Sequence, residues 1–274
     1  MWVIVTNFQH PIRLIQRLSL VILIALLSCF FFIGCANLFS QNSSNNNEIA
    51  DIHLRLGTTY LEQGQNSHAL KQLLRASELA PDNPLIQNNL GLTYFVFEKY
   101  DLAEKHLKNA TSLKPEYTEA RNNLSRVLIE EKKYPQAQKE LELVLNDLTY
   151  HNRDKAFVNL GMIHFVQQNF NVAITNFQLA LKLNPNYCLA HNYLGRSFYE
   201  LKEYKKSAEI FDHAVKFCQK LQFDEPQYFG ALSYLNLGQT LQAQNRFKEL
   251  LVKYPTGRYV NETQAKLNQL TKVK

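Results

Sequence analysis

The sequence predicts an all-α protein assembled from about six consecutive helix-turn-helix units, and three observations carry that prediction. Glycine and proline are scarce, at 9 and 8 of 274 residues, while Leu, Ala, Glu, Lys, Gln and Asn dominate, which is the usage of helices rather than sheets. From Glu48 onward a two-residue mark returns at a nearly fixed step: Leu56-Gly57, Leu90-Gly91, Leu124-Ser125, Leu160-Gly161, Leu194-Gly195 and Leu237-Gly238, separated by 34, 34, 36, 34 and 43 residues. Twelve positions after the second member a small side chain follows, at Ala69, Ala103, Ala137, Ala173 and Ser207.

Each mark has a physical reason. Two helices that cross closely leave no room for a side chain at the contact, so Gly and Ala belong there. Large residues three after the pair, Tyr60, Tyr94, Leu128, His164, Phe198 and Leu241, fill the holes between helices. A proline then stops the second helix, in the series Leu73/Ala76/Pro81, Leu107/Ala110/Pro115 and Phe177/Ala180/Pro185. This pattern resembles the tetratricopeptide repeat (TPR) at nearly every signature position. The resemblance implies a right-handed α-solenoid whose first helices line a concave groove. The units are expected at about 50–83, 84–117, 118–151, 154–187, 188–221 and 231–257, inside a TPR region spanning 49–272. The sixth departs from the pattern, with Leu250 in place of the small residue and Tyr254-Pro255 arriving early. It is expected to be a shortened cap, followed by a final helix over Asn261–Leu270.

The N-terminal end reads differently. Residues 1–34 hold Arg13 and Arg17 and then an apolar run from Leu18 to Gly34, ahead of Cys35 and a Ser/Asn/Gln-rich stretch. That is the layout of a secretory signal; a retained single anchor is the alternative, since the run is short for a spanning helix. Phe32-Ile33-Gly34-Cys35 resembles the bacterial lipobox, which implies acylation of Cys35, a signal peptide over 1–34 and a lipidated flexible tether over 35–48. Leu26-Leu27-Ser28-Cys29 fits the local motif too, but cleavage there would leave an exposed apolar FFFIG tail, so Cys35 is the expected site. Several acyl chains hold a protein on a bilayer where one would not. Ala36, standing where a retention Asp would be, implies sorting to the outer membrane, facing the periplasm.

Composition and motifs also narrow the function. The formal charge is +6 at pH 7, without a Lys/Arg cluster interleaved with aromatics, which argues against nucleic acid. His53, His106, His164 and His191 sit at helical positions without metal-ligand spacing, and no HExxH, GxGxxG, P-loop or GxSxG occurs. A non-enzymatic binding protein with no catalytic residue, metal, cofactor or small-molecule substrate is therefore expected.

In a TPR array the groove can be read by position. Two before the glycine stand Arg55, Asn89, Asn123, Asn159, Tyr193 and Asn236. Asparagine there serves helix packing in many TPR units, or else forms an amide ladder that clamps the backbone of an extended partner peptide. Four and five after the glycine stand Phe95, Val96, Phe165, Val166 and Tyr199, an apolar row expected to face a partner.

An acylated N-terminus followed by six TPR units resembles the type IV pilus biogenesis and stability lipoproteins, the pilotins. The stretch DLTYHNRDKAFVNLG looks like that family's interruption between the third and fourth repeats, and LLVKYPTGRYVNETQAKLNQL like its closing turn and helix. The resemblance implies a scaffold that binds a secretin subunit and helps localise and assemble it in the outer membrane. The alternative is a periplasmic TPR adaptor for peptidoglycan hydrolases or an outer-membrane assembly complex.

Two cysteines remain for an oxidising compartment. Within the fifth repeat Cys188 opens the outgoing helix and Cys218 closes the returning one, so a disulfide between them is expected; two buried, unpaired thiols are the alternative.

Overall fold

The computed structural model describes residues 45–218 and 223–272; the expected signal peptide, Cys35 and the tether up to residue 44 lie outside them. The described residues form thirteen helices and no strand, an all-α arrangement of TPR-type hairpins. No described helix is long and apolar enough to cross a membrane. The chain divides into two compact units, one ending at Asn89 and the other beginning at Leu90.

In the first unit, α1 (45–62) and α2 (Asn66–Leu79) form an antiparallel hairpin that leads into α3 (Pro84–Val96). The described part of α1 begins at residue 45, and the last four residues of the expected tether, 45–48, are helical. They extend the helix that buries Ala50 and Leu54. Gly57 marks the crossing, where a Cβ would stand 2.7 Å from Leu73 Cγ. Asn83 Oδ1 accepts the Leu85 backbone N–H at 2.9 Å and caps α3.

The second unit continues with α4 (Tyr100–Leu113), α5 (Thr118–Glu130), α6 (Tyr134–Asn146), α7 (Arg153–Val166), α8 (Phe170–Leu183), α9 (Cys188–Glu200), α10 (Tyr204–Cys218), α11 (Glu225–Asn236), α12 (Thr240–Lys253) and α13 (Val260–Lys272). Consecutive helices pack on one another, and the first helices of successive repeats, α5, α7, α9 and α11, also meet side by side. The close crossings recur at Gly91, Ser125, Gly161 and Gly195; a Cβ at Gly91 would stand 2.5 Å from Leu107 Cγ, and one at Gly161 2.5 Å from the Phe177 ring. The large residue sixteen positions on is Leu107, Leu141, Phe177 or Phe211, each wholly buried.

The sixth repeat is not in the register expected for it. Ala231, wholly buried, takes the crossing position, with Ala243 twelve and Phe247 sixteen residues later, both also wholly buried. Gly238, in contrast, is exposed, has nothing within 4 Å of where a Cβ would be, and adopts φ +74°. It is the left-handed residue that ends the first helix, as Gly64, Glu98, Lys132, Gln168 and Lys202 do in the other five repeats, at φ between 56° and 71°. Each is followed by the same pair of C-terminal hydrogen bonds, such as Glu98 N–H to Phe95 O and Lys99 N–H to Tyr94 O. Leu237-Gly238 imitates the crossing pair because both put Gly after Leu, but its glycine meets a demand of backbone conformation rather than of close packing. The step is therefore 36 residues, not 43. Leu250 does not replace the small residue: it fills the wholly buried position held by Ala76, Ala110, Ala180 and Ala214.

Candidate partner-binding groove

With the register set, the positions lining the first helices can be placed. In the first unit Arg55 is exposed, and Asn89 Nδ2 donates to Thr58 Oγ1 at 2.9 Å. In the second unit Asn123 and Asn159 are buried, and Asn159 Nδ2 donates to Asn122 Oδ1 at 3.0 Å and to Ser125 Oγ at 3.3 Å. These donors are used between neighbouring helices, which is the packing role of the two read from sequence. Tyr193 holds the same position in α9, edge-on to Phe165 at 5.2 Å, and burial raises its phenol pKa above the ordinary value. Asn236 does not belong to this row. The corrected register puts Phe229 there and moves Asn236 to the exposed end of α11, where its Nδ2 donates to Leu232 O at 2.9 Å and reaches the Tyr199 hydroxyl at 3.4 Å.

The apolar row divides in two. Val96 and Val166 are about half exposed, at 51% and 52%, whereas Phe95, Phe165 and Tyr199 are partly buried under neighbours. Phe95 forms part of the wall of a cavity of about 460 Å³ at the first helices α3, α5, α7 and α9. Leu92, Ile129, Met162 and Leu189 supply its aliphatic surface, and Asn123 and Asn159 show it their edges. Its charged groups are Glu119, Arg126, Glu130 and Lys155.

Glu119 is held by the irregular turn before α7. Its Oε2 accepts hydrogen bonds from the Tyr150 hydroxyl at 2.6 Å and from Asn152 Nδ2 at 3.2 Å, while Lys155 Nζ lies 3.4 Å from Oε1. Burial, reinforced by this carboxylate, drives the Tyr150 phenol far above its ordinary pKa. Asp147 ties the same turn to α5 through the Thr118 hydroxyl at 2.5 Å. Further along, Arg196 lies between the rings of Phe165 and Phe229, at 5.1 and 4.5 Å, and pairs with buried Glu225 at 2.6 Å.

Four stretches of the sequence match repeat-family profiles: residues 57–95 the TPR repeat, and 97–149, 154–187 and 231–257 the tetratricopeptide repeat. The chain is a tetratricopeptide-repeat protein. Among solved structures, PilF of Pseudomonas aeruginosa is similar at 22% identity and TM-score 0.67, over 81% of this chain and 99% of that one. PilW, described as a widely conserved type IV pilus biogenesis factor, is similar at 20% identity and TM-score 0.71, over 80% and 99%. The Cut9–Hcn1 hetero-tetramer of APC/C matches at 18% identity and TM-score 0.72, over 85% of this chain and 46% of the other. At these identities the likeness is one of fold. Among curated proteins no sequence match was found.

In this TPR chain Cys188 and Cys218 are bonded, with their Cα atoms 5.0 Å apart. The bridge joins the start of α9 to the end of α10 beside His191, whose ring stacks on Phe217 at 5.3 Å. Among the described residues no group of three or more His, Cys, Asp or Glu is placed to hold a metal.

Sequence reading overlooked the groove residues Arg126, Lys155, Met162, Leu189 and Phe229. Arg126 and Arg196 sit one position after the crossing in alternate repeats, a recurrence visible in the sequence. Phe229 needed the register of the sixth repeat.

Proposed function

We propose that this chain is a lipid-anchored TPR scaffold of the outer membrane, which binds a subunit of the type IV pilus secretin in its groove and helps to localise and assemble it. The observation that carries this reading is the match in extent as well as fold to PilF and PilW: four-fifths of this chain covers nearly the whole of each. The lipobox-like Phe32-Ile33-Gly34-Cys35 supplies the anchor, and the partly apolar first-helix surface supplies a binding face.

The test is co-purification of the secretin with the full chain from detergent-solubilised membranes. The wild type should bring the secretin down and the double variant Val96→Lys/Val166→Lys should not, while both keep the same melting temperature, because exposed substitutions shift stability by less than about 0.5 kcal/mol. Recovery of a peptidoglycan hydrolase in place of the secretin would move the reading to a periplasmic adaptor. Cys35→Ala should abolish metabolic labelling with a palmitate analogue; loss on Cys29→Ala alone would move the anchor six residues towards the N-terminus.

A further inference from the structure

Arg126 and Arg196 occupy the same position in repeats two apart, yet their chemistry differs. Arg196 is consumed inside the fold by buried Glu225 and two aromatic rings. Arg126 is exposed, its guanidinium resting 4.7 Å from the Phe95 ring centroid at the wall of the 460 Å³ cavity. No ion pair among the described residues engages it. A guanidinium laid on a ring uses its face and leaves the edge N–H donors free for a planar acceptor such as a carboxylate. The cavity's own acids do not fill that place. Glu119 is already taken by Tyr150, Asn152 and Lys155. Glu130, one helical turn further along α5, lines the same cavity but makes no ion pair with Arg126, and its charge disfavours a second acidic group there.

We propose that this cavity takes an extended peptide segment of the partner protein carrying a single acidic side chain next to a bulky apolar one. The carboxylate docks on the edge of Arg126, and the apolar side chain enters between Leu92, Ile129, Met162 and Leu189. Opposite charge selects the segment, while Glu130 excludes an acidic run. This rests on the groove reading above and names the chemistry the groove selects.

The chain has two methionines, Met1 and Met162, so methyl-labelled methionine gives one resonance inside the cavity. Full-length protein in nonionic detergent, labelled in this way, is titrated with N-acetylated, C-amidated Ala-Leu-Asp-Leu-Ala and with its Asn and Lys counterparts. The Asp peptide should shift the Met162 methyl signal with at least about tenfold higher affinity than the Asn peptide, and the Lys peptide should bind no better than the Asn one. Arg126→Gln, an exposed change, should leave the thermal melt unchanged and equalise the Asp and Asn peptides. Equal affinities in the wild type, tighter binding of the Lys peptide, a preference that survives Arg126→Gln, or no Met162 shift with any peptide would each overturn the proposal. None of these results decides the secretin reading, which stands or falls on the co-purification.

Discussion

The Asn159 side-chain amide lies 3.0 Å from that of Asn122, donating from Nδ2 to Oδ1, and this bond joins α7 to α5. Removing Asn159 leaves a buried acceptor on Asn122, whose own Nδ2 already lacks a partner. Asn159→Ala should therefore destabilise the protein by about 1 to 3 kcal/mol in urea melts, the cost of orphaning a buried polar group. A variant as stable as wild type would return the amide row to a partner-facing role.

The left-handed residue that closes each first helix is glycine in only two of six repeats. Gln168, at φ 61° and exposed, therefore carries a backbone penalty that glycine would relieve. Gln168→Gly should raise stability by about 0.5 to 1 kcal/mol, and Gly238→Ala should lower it by a similar amount. Opposite signs in paired denaturant melts confirm the sixth-repeat register; a large loss for Gly238→Ala with signs of overpacking would restore Gly238 as a crossing residue.

The Cys188–Cys218 bridge closes a loop with a sequence separation of 30 residues, next to the segment before α11. The chain-entropy estimate for a loop of this length is roughly 3 to 4 kcal/mol. Cys188→Ala/Cys218→Ala should lower the melting temperature of the oxidised protein, and dithiothreitol should do so in the wild type alone. Mass spectrometry of alkylated, non-reduced protein should find both thiols blocked.

Burial holds the His191 imidazole below its ordinary pKa, opposed by the bond its Nε2–H donates to the Pro185 carbonyl and assisted by nearby His213. Burial lowers His106 in the same way, with Lys105 adding to the effect. An unfolded histidine titrates near 6.5, about a unit either way in folded proteins, so below that point the unfolded chain binds protons that the folded one resists. Stability should be full above about pH 7 and fall as pH drops towards 5. His191→Gln keeps a donor for Pro185 and should flatten part of that fall in urea melts taken at the two pH values.

Much of this was legible in the amino-acid order. The glycines that mark four crossings, the alanines twelve residues on and the prolines that stop the second helices are demanded by local contacts that recur every 34 residues or so, so each repeat repeats the message. The disulfide was legible for the same reason: helix length and antiparallel return place Cys188 beside Cys218.

The sixth repeat and the groove were not legible in that way. A glycine that makes room and a glycine that turns left-handed are the same letter, and only the packing of Ala231, with Phe247 buried sixteen residues later, separates them. Likewise, sequence placed arginine in alternate repeats, but which cation is consumed depends on what the neighbouring helix carries. Glu225 reaches Arg196 from α11, while Arg126 rests on the face of Phe95 with no ion pair among the described residues. Periodicity within the chain determined the repeat; contact between repeats decided which side chains are left to bind.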